Sequence, residues 1–302
     1  MHHDRLPQVV LITGASSGFG LLTAQSLARA GHTVVAGMRA TTERNASVVA
    51  DLARLATVEG LRLSAVELDV QSQASADAAL AEVSRQHGRL DVIVHNAGHM
   101  VSGPAEAFTP EQLTALYDVN VVGTQRVNRA ALPLLREQGS GLLVWVGSSS
   151  TRGGHPPFLA PYFAAKAPWT RWPKATPANS SASASTPRSW FPEPSPPGRT
   201  TSPTPGAPRT RPPRQRTGRC TGNCWATCPS AWPPWSQPTR RTVRRRRDRA
   251  RGRSPAGQRP FRTHVDPSRD GSEVVSAVAD RIRAEFYRRV GLESLLPSNA
   301  AL

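Results

Sequence analysis

The 302-residue chain has no apolar run approaching the roughly 20 residues that a membrane-spanning helix needs. Its apolar pattern begins at Gln8-Val9-Val10, too early for a signal peptide to precede it. Neither a membrane nor a secreted protein is expected, and the cytoplasm is the expected location. Cysteine is scarce. Cys220, Cys224 and Cys228 are the only three, and their C-x3-C-x3-C spacing fits none of the usual zinc or iron–sulfur patterns, so no metal is expected. Internal repeats are absent. Acidic residues are few, 21 against 38 basic, for a net charge of +17. With 28 Pro and only 38% hydrophobic residues, the whole-chain averages suggest a basic, partly disordered, nucleic-acid-binding protein. The imbalance is local, however. Residues 168–253 hold 18 basic and 2 acidic residues, 17 of the Pro, 6 of the 7 Trp and every Cys, while the remainder is close to neutral.

Residues 8–167 alternate short apolar runs with longer amphipathic stretches, the mark of βαβ units. Strands are expected at Val9–Ile12, Thr33–Gly37, Leu63–Leu68, Leu90–Val94 and Gly141–Val146. Between the first two lies a helix with Leu21, Leu22, Ala24, Leu27 and Ala28 on its apolar side, stopped by Gly31. A further helical stretch runs from Glu111 to Leu135. Fully apolar strands need cover on both faces, which implies an α/β, doubly wound parallel sheet. From Pro168 to about Arg253 the apolar period disappears, and such a segment cannot bury enough surface to offset its ordering entropy. Order returns near Pro255, with a strand at Arg259–Val265 and a helix carrying Val274, Val278, Ile282, Phe286 and Val290 every four residues. The organisation expected is therefore 1–167, an interruption at 168–253, and 254–302 completing the same domain.

Thr13-Gly14-Ala15-Ser16-Ser17-Gly18-Phe19-Gly20 joins the first strand to the first helix. Glycine allows the tight turn and the close approach of backbone to a phosphate. The helix that follows offers unpaired N–H groups and a positive dipole end to a pyrophosphate. This context makes the fold a Rossmann type, with Gly14, Ser16, Ser17, Gly18, Phe19 and Gly20 as cofactor contacts. The second strand ends Gly37-Met38-Arg39 with no acid until Glu43. Arg39 either meets a 2′-phosphate or is a solvated surface arginine; the first reading favours NADP, with NAD possible.

In order, the chain carries Thr13-Gly14-x-x-x-Gly18-x-Gly20, Asp69-Val70, Asn96-Ala97-Gly98, Asn120-Val121-x-Gly123, serines at 148–150, and Tyr162-x-x-x-Lys166. Across these 160 or so residues it resembles the compact, single-domain short-chain dehydrogenases/reductases. Tyr162 and Lys166 are four apart and share a helix face. A lysine cation there brings the tyrosine, ordinarily near ~10, toward the working range. The resemblance implies an oxidoreductase that interconverts a small-molecule alcohol and a carbonyl compound. Tyr162 would exchange the proton, Lys166 would also bind the nicotinamide ribose, and a serine would steady the carbonyl oxygen. That serine is Ser148 by strand alignment or Ser149 by spacing to the tyrosine. Asn120 would hold a water linking Lys166 to solvent. Asp69, Asn96, Ala97 and Gly98 complete the cofactor set, with Asp69 at the adenine or simply capping a strand end. His95 stands where the family has Asn, either bracing the fourth strand or acting as a second acid–base group. Arg152, Gly153, Gly154 and His155 fall in the loop beside the substrate. The family often pairs subunits, so a homo-oligomer is expected if the chain's reading frame is intact.

Pro168-Trp169-Thr170-Arg171-Trp172-Pro173-Lys174 replaces the expected continuation of the Tyr-Lys helix. Joining the last base of each codon to the first two of the next turns it into a sequence of the form Ala-Met-Asp-Ala-Leu-Ala-Glu. The same offset turns Ser189–Pro194 into apolar-Val-Val-Pro-Gly-Ala, the missing strand and its turn. A frameshift near Ala167, reversed before Pro255, accounts for both. On this view the run Arg244–Arg247 with Arg249, Arg251 and Arg253 is a by-product, and turnover of the literal chain is impaired. Tyr162 and Lys166 would then sit at a frayed helix end. The alternative is a non-catalytic dinucleotide-binding protein whose basic insert engages RNA or DNA.

Overall fold

A computed structural model describes residues 7–148, 151–152, 158–170, 271–291, 293 and 296, together with the backbone of 185–191 and 262–264. The three cysteines, the arginine run, Ser149, Gly153, Gly154, His155 and most of 168–253 lie outside the described residues.

The strands are β1 (Val9–Thr13), β2 (Thr33–Met38), β3 (Leu63–Glu67), β4 (Val92–His95), β5 (Gly141–Val146), β6 (Ser185–Phe191) and β7 (Arg262–His264). They form one sheet in the order β3-β2-β1-β4-β5-β6-β7. Every pairing is parallel, as in Leu11 opposite both Val35 and Ile93. The five strands expected in 8–167 are present within two residues at each end. Leu11, Ile12, Ile93 and Leu143 are wholly buried, each contributing about 1.5–3 kcal/mol by leaving water. Helices α1 (Gly18–Arg29), α2 (Ala46–Glu59), α3 (Gln73–His87), α4 (Pro110–Tyr117), α5 (Gly123–Glu137), α6 (Ala160–Lys166) and α7 (Ser272–Arg289) accompany the sheet. The strand order turns back on itself between β1 and β4, and an open sheet of this kind has its crevice at the carboxyl ends of the strands there.

Several elements differ from expectation in instructive ways. Leu22 faces out at 56% exposure, because α1 meets the sheet through Gly20, Ala24 and Ala28, and Leu22 is two positions round from that stripe. The stretch from Glu111 to Leu135 is not one α-helix. A π-helical turn, Asp118–Val122, separates α4 from α5 and turns Asn120 inward. Val274, Val278, Ile282 and Phe286 do recur on α7, with Val290 just past its end, yet all five are at least 46% exposed, and the buried positions of α7 include Ser272, Ser276 and Ala284. At the expected break after Ala167, Pro168–Thr170 continue as helix, and Trp169 is fully buried. Further on, the backbone of Ser185–Phe191 lies beside β5 as β6, with Gly141 opposite Ser185 and Val146 opposite Trp190.

Candidate active site

The turn after β1 is stitched to the end of β4. Thr13 Oγ1 donates to Val94 O at 3.4 Å and accepts the N–H groups of Asn96 and Ala97 at 3.1 and 3.0 Å. The Asn96 carboxamide donates to Thr13 O and Gly14 O, each at 3.0 Å. Asn96 and Ala97 therefore shape the glycine turn from behind. Gly14 has φ +65° and lies so close to Ala97 that an added Cβ would stand 2.7 Å from its Cα. At Gly20 an added Cβ would meet Gly14 O and Asn96 Nδ2. Ser17, the residue before α1, makes no capping bond with its side chain. Ser17 and Gly18 are exposed, so the start of α1 faces outward with its N–H groups.

Beside this turn, Arg39 is exposed at the end of β2 and donates to Gln71 Oε1 at 3.0 Å. No acid follows Arg39 closely in sequence, but the fold brings one from β3. Glu67 accepts the N–H groups of Ala40 and Thr41, both at 2.8 Å, and the Thr41 hydroxyl. Burial pushes the Glu67 carboxyl up, and those hydrogen bonds outweigh it, holding the group below its ordinary value. Asp69 accepts the Gln71 N–H at 2.9 Å, while its own N–H donates to Ser75 Oγ, and the cap of α3 is Ser72. His95 is 1% exposed, bonded to Asn128 Oδ1 at 2.9 Å and packed against Trp145, with centroids 5.2 Å apart and ring planes tilted by 36°. Burial drives its pKa down to about 4, so it is a neutral brace between β4, α5 and β5.

The catalytic candidates converge at the ends of β4 and β5. Tyr162 is hydrogen-bonded to Ser148, which follows β5; Ser149 and Ser150 lie outside the described residues. Asn120 is fully buried, its Nδ2 donating to His99 O at 3.1 Å and Leu116 O at 3.0 Å, and its Oδ1 has no partner. Lys166 is 5% exposed. An added Cβ on Gly98 would lie 2.5 Å from Asn120 Oδ1 and 3.2 Å from Lys166 Nζ, so both polar atoms border the space that this glycine leaves open. Arg152, of the expected substrate loop, is half-buried.

The electrostatics depart from the sequence reading. Tyr162 is not brought down; burial raises it, and the Ser148 hydrogen bond only partly opposes this. Lys166 instead yields, pushed by burial down to about 7. His99 is lowered by burial and by the neighbouring charges of Arg39 and Lys166. Sequence reasoning missed Trp169. Its ring centroid is 3.5 Å from Lys166 Nζ, and its indole N–H donates to Asn120 O. The available signal was spacing, since residues 166 and 169 share a helix face if the helix continues. No described helix is long and apolar enough to cross a membrane, and no cluster of three metal-ligating side chains occurs among the described residues.

Residues 8–178 match the family model of the short chain dehydrogenases. The chain is 33% identical over 142 residues to a 3-ketodihydrosphingosine reductase of Bacteroides thetaiotaomicron, covering 47% of each protein. In structure it is similar to a short-chain dehydrogenase from Streptomyces avermitilis, with TM-score 0.64 and 26% identity over 94% of this chain and 98% of the other. It is also similar to a gluconate 5-dehydrogenase from Burkholderia cenocepacia, solved with NADP and tartrate, with TM-score 0.56 and 28% identity over 63% and 74% of the two chains. The chain spans about half the length of the curated relatives it matches. Glycine turn, sheet order and family model agree: the chain belongs to the short-chain dehydrogenase family.

Proposed function

We propose that the chain is an oxidoreductase that binds a nicotinamide dinucleotide, NADP in preference to NAD, and interconverts a small-molecule alcohol and its carbonyl compound. The observation that carries this reading is the hydrogen bond of Tyr162 with Ser148 and, one helical turn on, the placing of Lys166 Nζ and Asn120 Oδ1 beside Gly98. The residues present fit a dinucleotide. Gly14 and Gly20 keep the turn low where a Cβ would strike backbone, and Gly98 leaves a space bordered by an unpartnered amide oxygen and an ammonium. Ser16, Ser17, Gly18 and Phe19 would carry the pyrophosphate, Arg39 the 2′-phosphate, Asp69 the adenine side and Lys166 the ribose. Ser148, rather than Ser149, would be the serine of the catalytic set.

When bound, the dinucleotide supplies the hydride for reduction or takes it up in oxidation. Ser148 donates a hydrogen bond to the carbonyl oxygen as negative charge develops on it. Tyr162 hands its hydroxyl proton to that oxygen, or accepts the alcohol proton in the reverse direction. Lys166 stabilises the phenolate left behind, and Asn120 orders the polar atoms around Lys166. Burial that raises Tyr162 and leaves Lys166 only partly charged near pH 7 weakens this stabilisation, so turnover of the chain as written is expected to be slow. Residues 1–167 and 254–302 form one domain on this reading, supported by the parallel backbone of β7, which joins the sheet through β6 beside β5.

The test uses the full chain with its mass confirmed. NADPH binding is followed by cofactor fluorescence, and turnover by NADPH oxidation against a panel of ketones and aldehydes. Saturable binding and a slow, carbonyl-dependent rate that Tyr162→Phe abolishes are expected. A folded chain that does not bind NADPH overturns the proposal.

A further inference from the structure

We infer that Trp169 is a positioning residue that seals the inner side of Lys166, leaving the space beside Gly98 as the ammonium's path to solvent. Three observations meet here. The indole ring lies over Lys166 Nζ, 3.5 Å from it at the centroid. The indole N–H is spent on the main-chain carbonyl of Asn120, a group that could otherwise hold a water beside the lysine. Trp169 itself is fully buried, so no solvent reaches the ammonium through it. Gly98, by contrast, is exposed, and an added Cβ there would come within 3.2 Å of Nζ. The ring face favours the cation while its bulk excludes water, and burial as a whole lowers Lys166. Among the described residues, the side left open to protons returning to the Tyr162–Lys166 pair is then the face that the dinucleotide is proposed to cover. A relay through Asn120 O is closed by the indole.

The inference rests on the catalytic reading of Lys166, but its test does not need turnover. Lys166 and Lys174 are the chain's only lysines, so side-chain nitrogen NMR of lysine-labelled Lys174→Arg protein gives a single signal, Lys166. At about pH 6 its Nζ protons should exchange with water about tenfold or more slowly than those of a free lysine amide. Trp169→Leu, which removes the ring and admits water to Asn120 O, should raise the rate about tenfold. Trp169→Phe, which keeps a ring over the ammonium but releases Asn120 O, should fall between. Parent exchange as fast as the free lysine amide overturns the inference without any Trp169 variant, and so does an unchanged rate in a folded Trp169→Leu or Trp169→Phe protein. Adding NADPH separates the two ideas. Further slowing in the parent supports the Gly98 path, whereas a sealed Lys166 in a chain that binds no NADPH upholds the seal and sinks the dinucleotide reading.

Discussion

Acid should unfold this protein partly through one histidine. His95 is 1% exposed and pressed by burial from 6.5 down to about 4, with the Asn128 hydrogen bond giving only partial relief. The folded state therefore binds fewer protons than the unfolded chain between about pH 4 and 6.5, and stability falls as pH drops through that window. Acidifying from pH 7 to 5 costs about 2 kcal/mol from this side chain alone, and the loss reaches about 3 kcal/mol below pH 4. The comparison is His95→Asn, which can still bond to Asn128 but carries no titrating group. Losing the contact with Trp145 makes the variant less stable at pH 7, by about 1–3 kcal/mol. Its acid sensitivity, however, should be smaller than the parent's by about 2 kcal/mol over the same interval. Urea unfolding of both proteins at the two pH values, followed by circular dichroism, measures the difference. His32 and His99, which burial also lowers, titrate in both proteins and cancel. Equal pH dependence in parent and variant would refute the reasoning.

Three further outcomes probe the site. Gly20→Ala places a Cβ 2.5 Å from Asn96 Nδ2 and against Gly14 O; it should cost about 1–3 kcal/mol in thermal or urea unfolding and weaken NADPH binding about tenfold by fluorescence titration. Ser148→Ala should lower the carbonyl-dependent rate about a hundredfold while Ser149→Ala changes it by about twofold or less, measured by NADPH oxidation; the reverse pattern would reassign the serine. Arg39→Ala should raise the Kd for NADPH about tenfold and leave that for NADH unchanged, and equal losses for both dinucleotides would return Arg39 to an ordinary surface role.

What could be read from the sequence was what depends on local pattern. Val9–Ile12 is apolar throughout because both its faces are covered, and such a run followed by Thr13-Gly14-x-x-x-Gly18-x-Gly20 states both the strand and the turn. The π turn at Asn120 was not legible, since Glu111–Leu135 keeps one helical period and the bulge depends on contacts such as Gly123 packed on Val70. Burial of Lys166 was equally hidden, because spacing puts Tyr162 and Lys166 on one face without saying what covers them. The cover is Trp169, a residue that composition had assigned to a foreign segment.

That assignment bears on the seal itself. Reading the codons from 168 onward one base out of step replaces Trp169 by Met, Leu or Val and makes the next residue Asp. Resequencing the coding DNA from codon 160 to codon 260 is expected to reveal a displaced base near codon 167, and an unaltered frame would refute the frameshift. If the frame is corrected, the indole over Lys166 and its hold on Asn120 O vanish together. The corrected polypeptide should then resemble Trp169→Leu in lysine exchange, with Lys166 rehydrated and its pKa above the present value of about 7. It should also turn over faster than the chain as written. A corrected chain whose Lys166 stays as protected as now would mean that the rest of the helix, and not the indole, excludes the water.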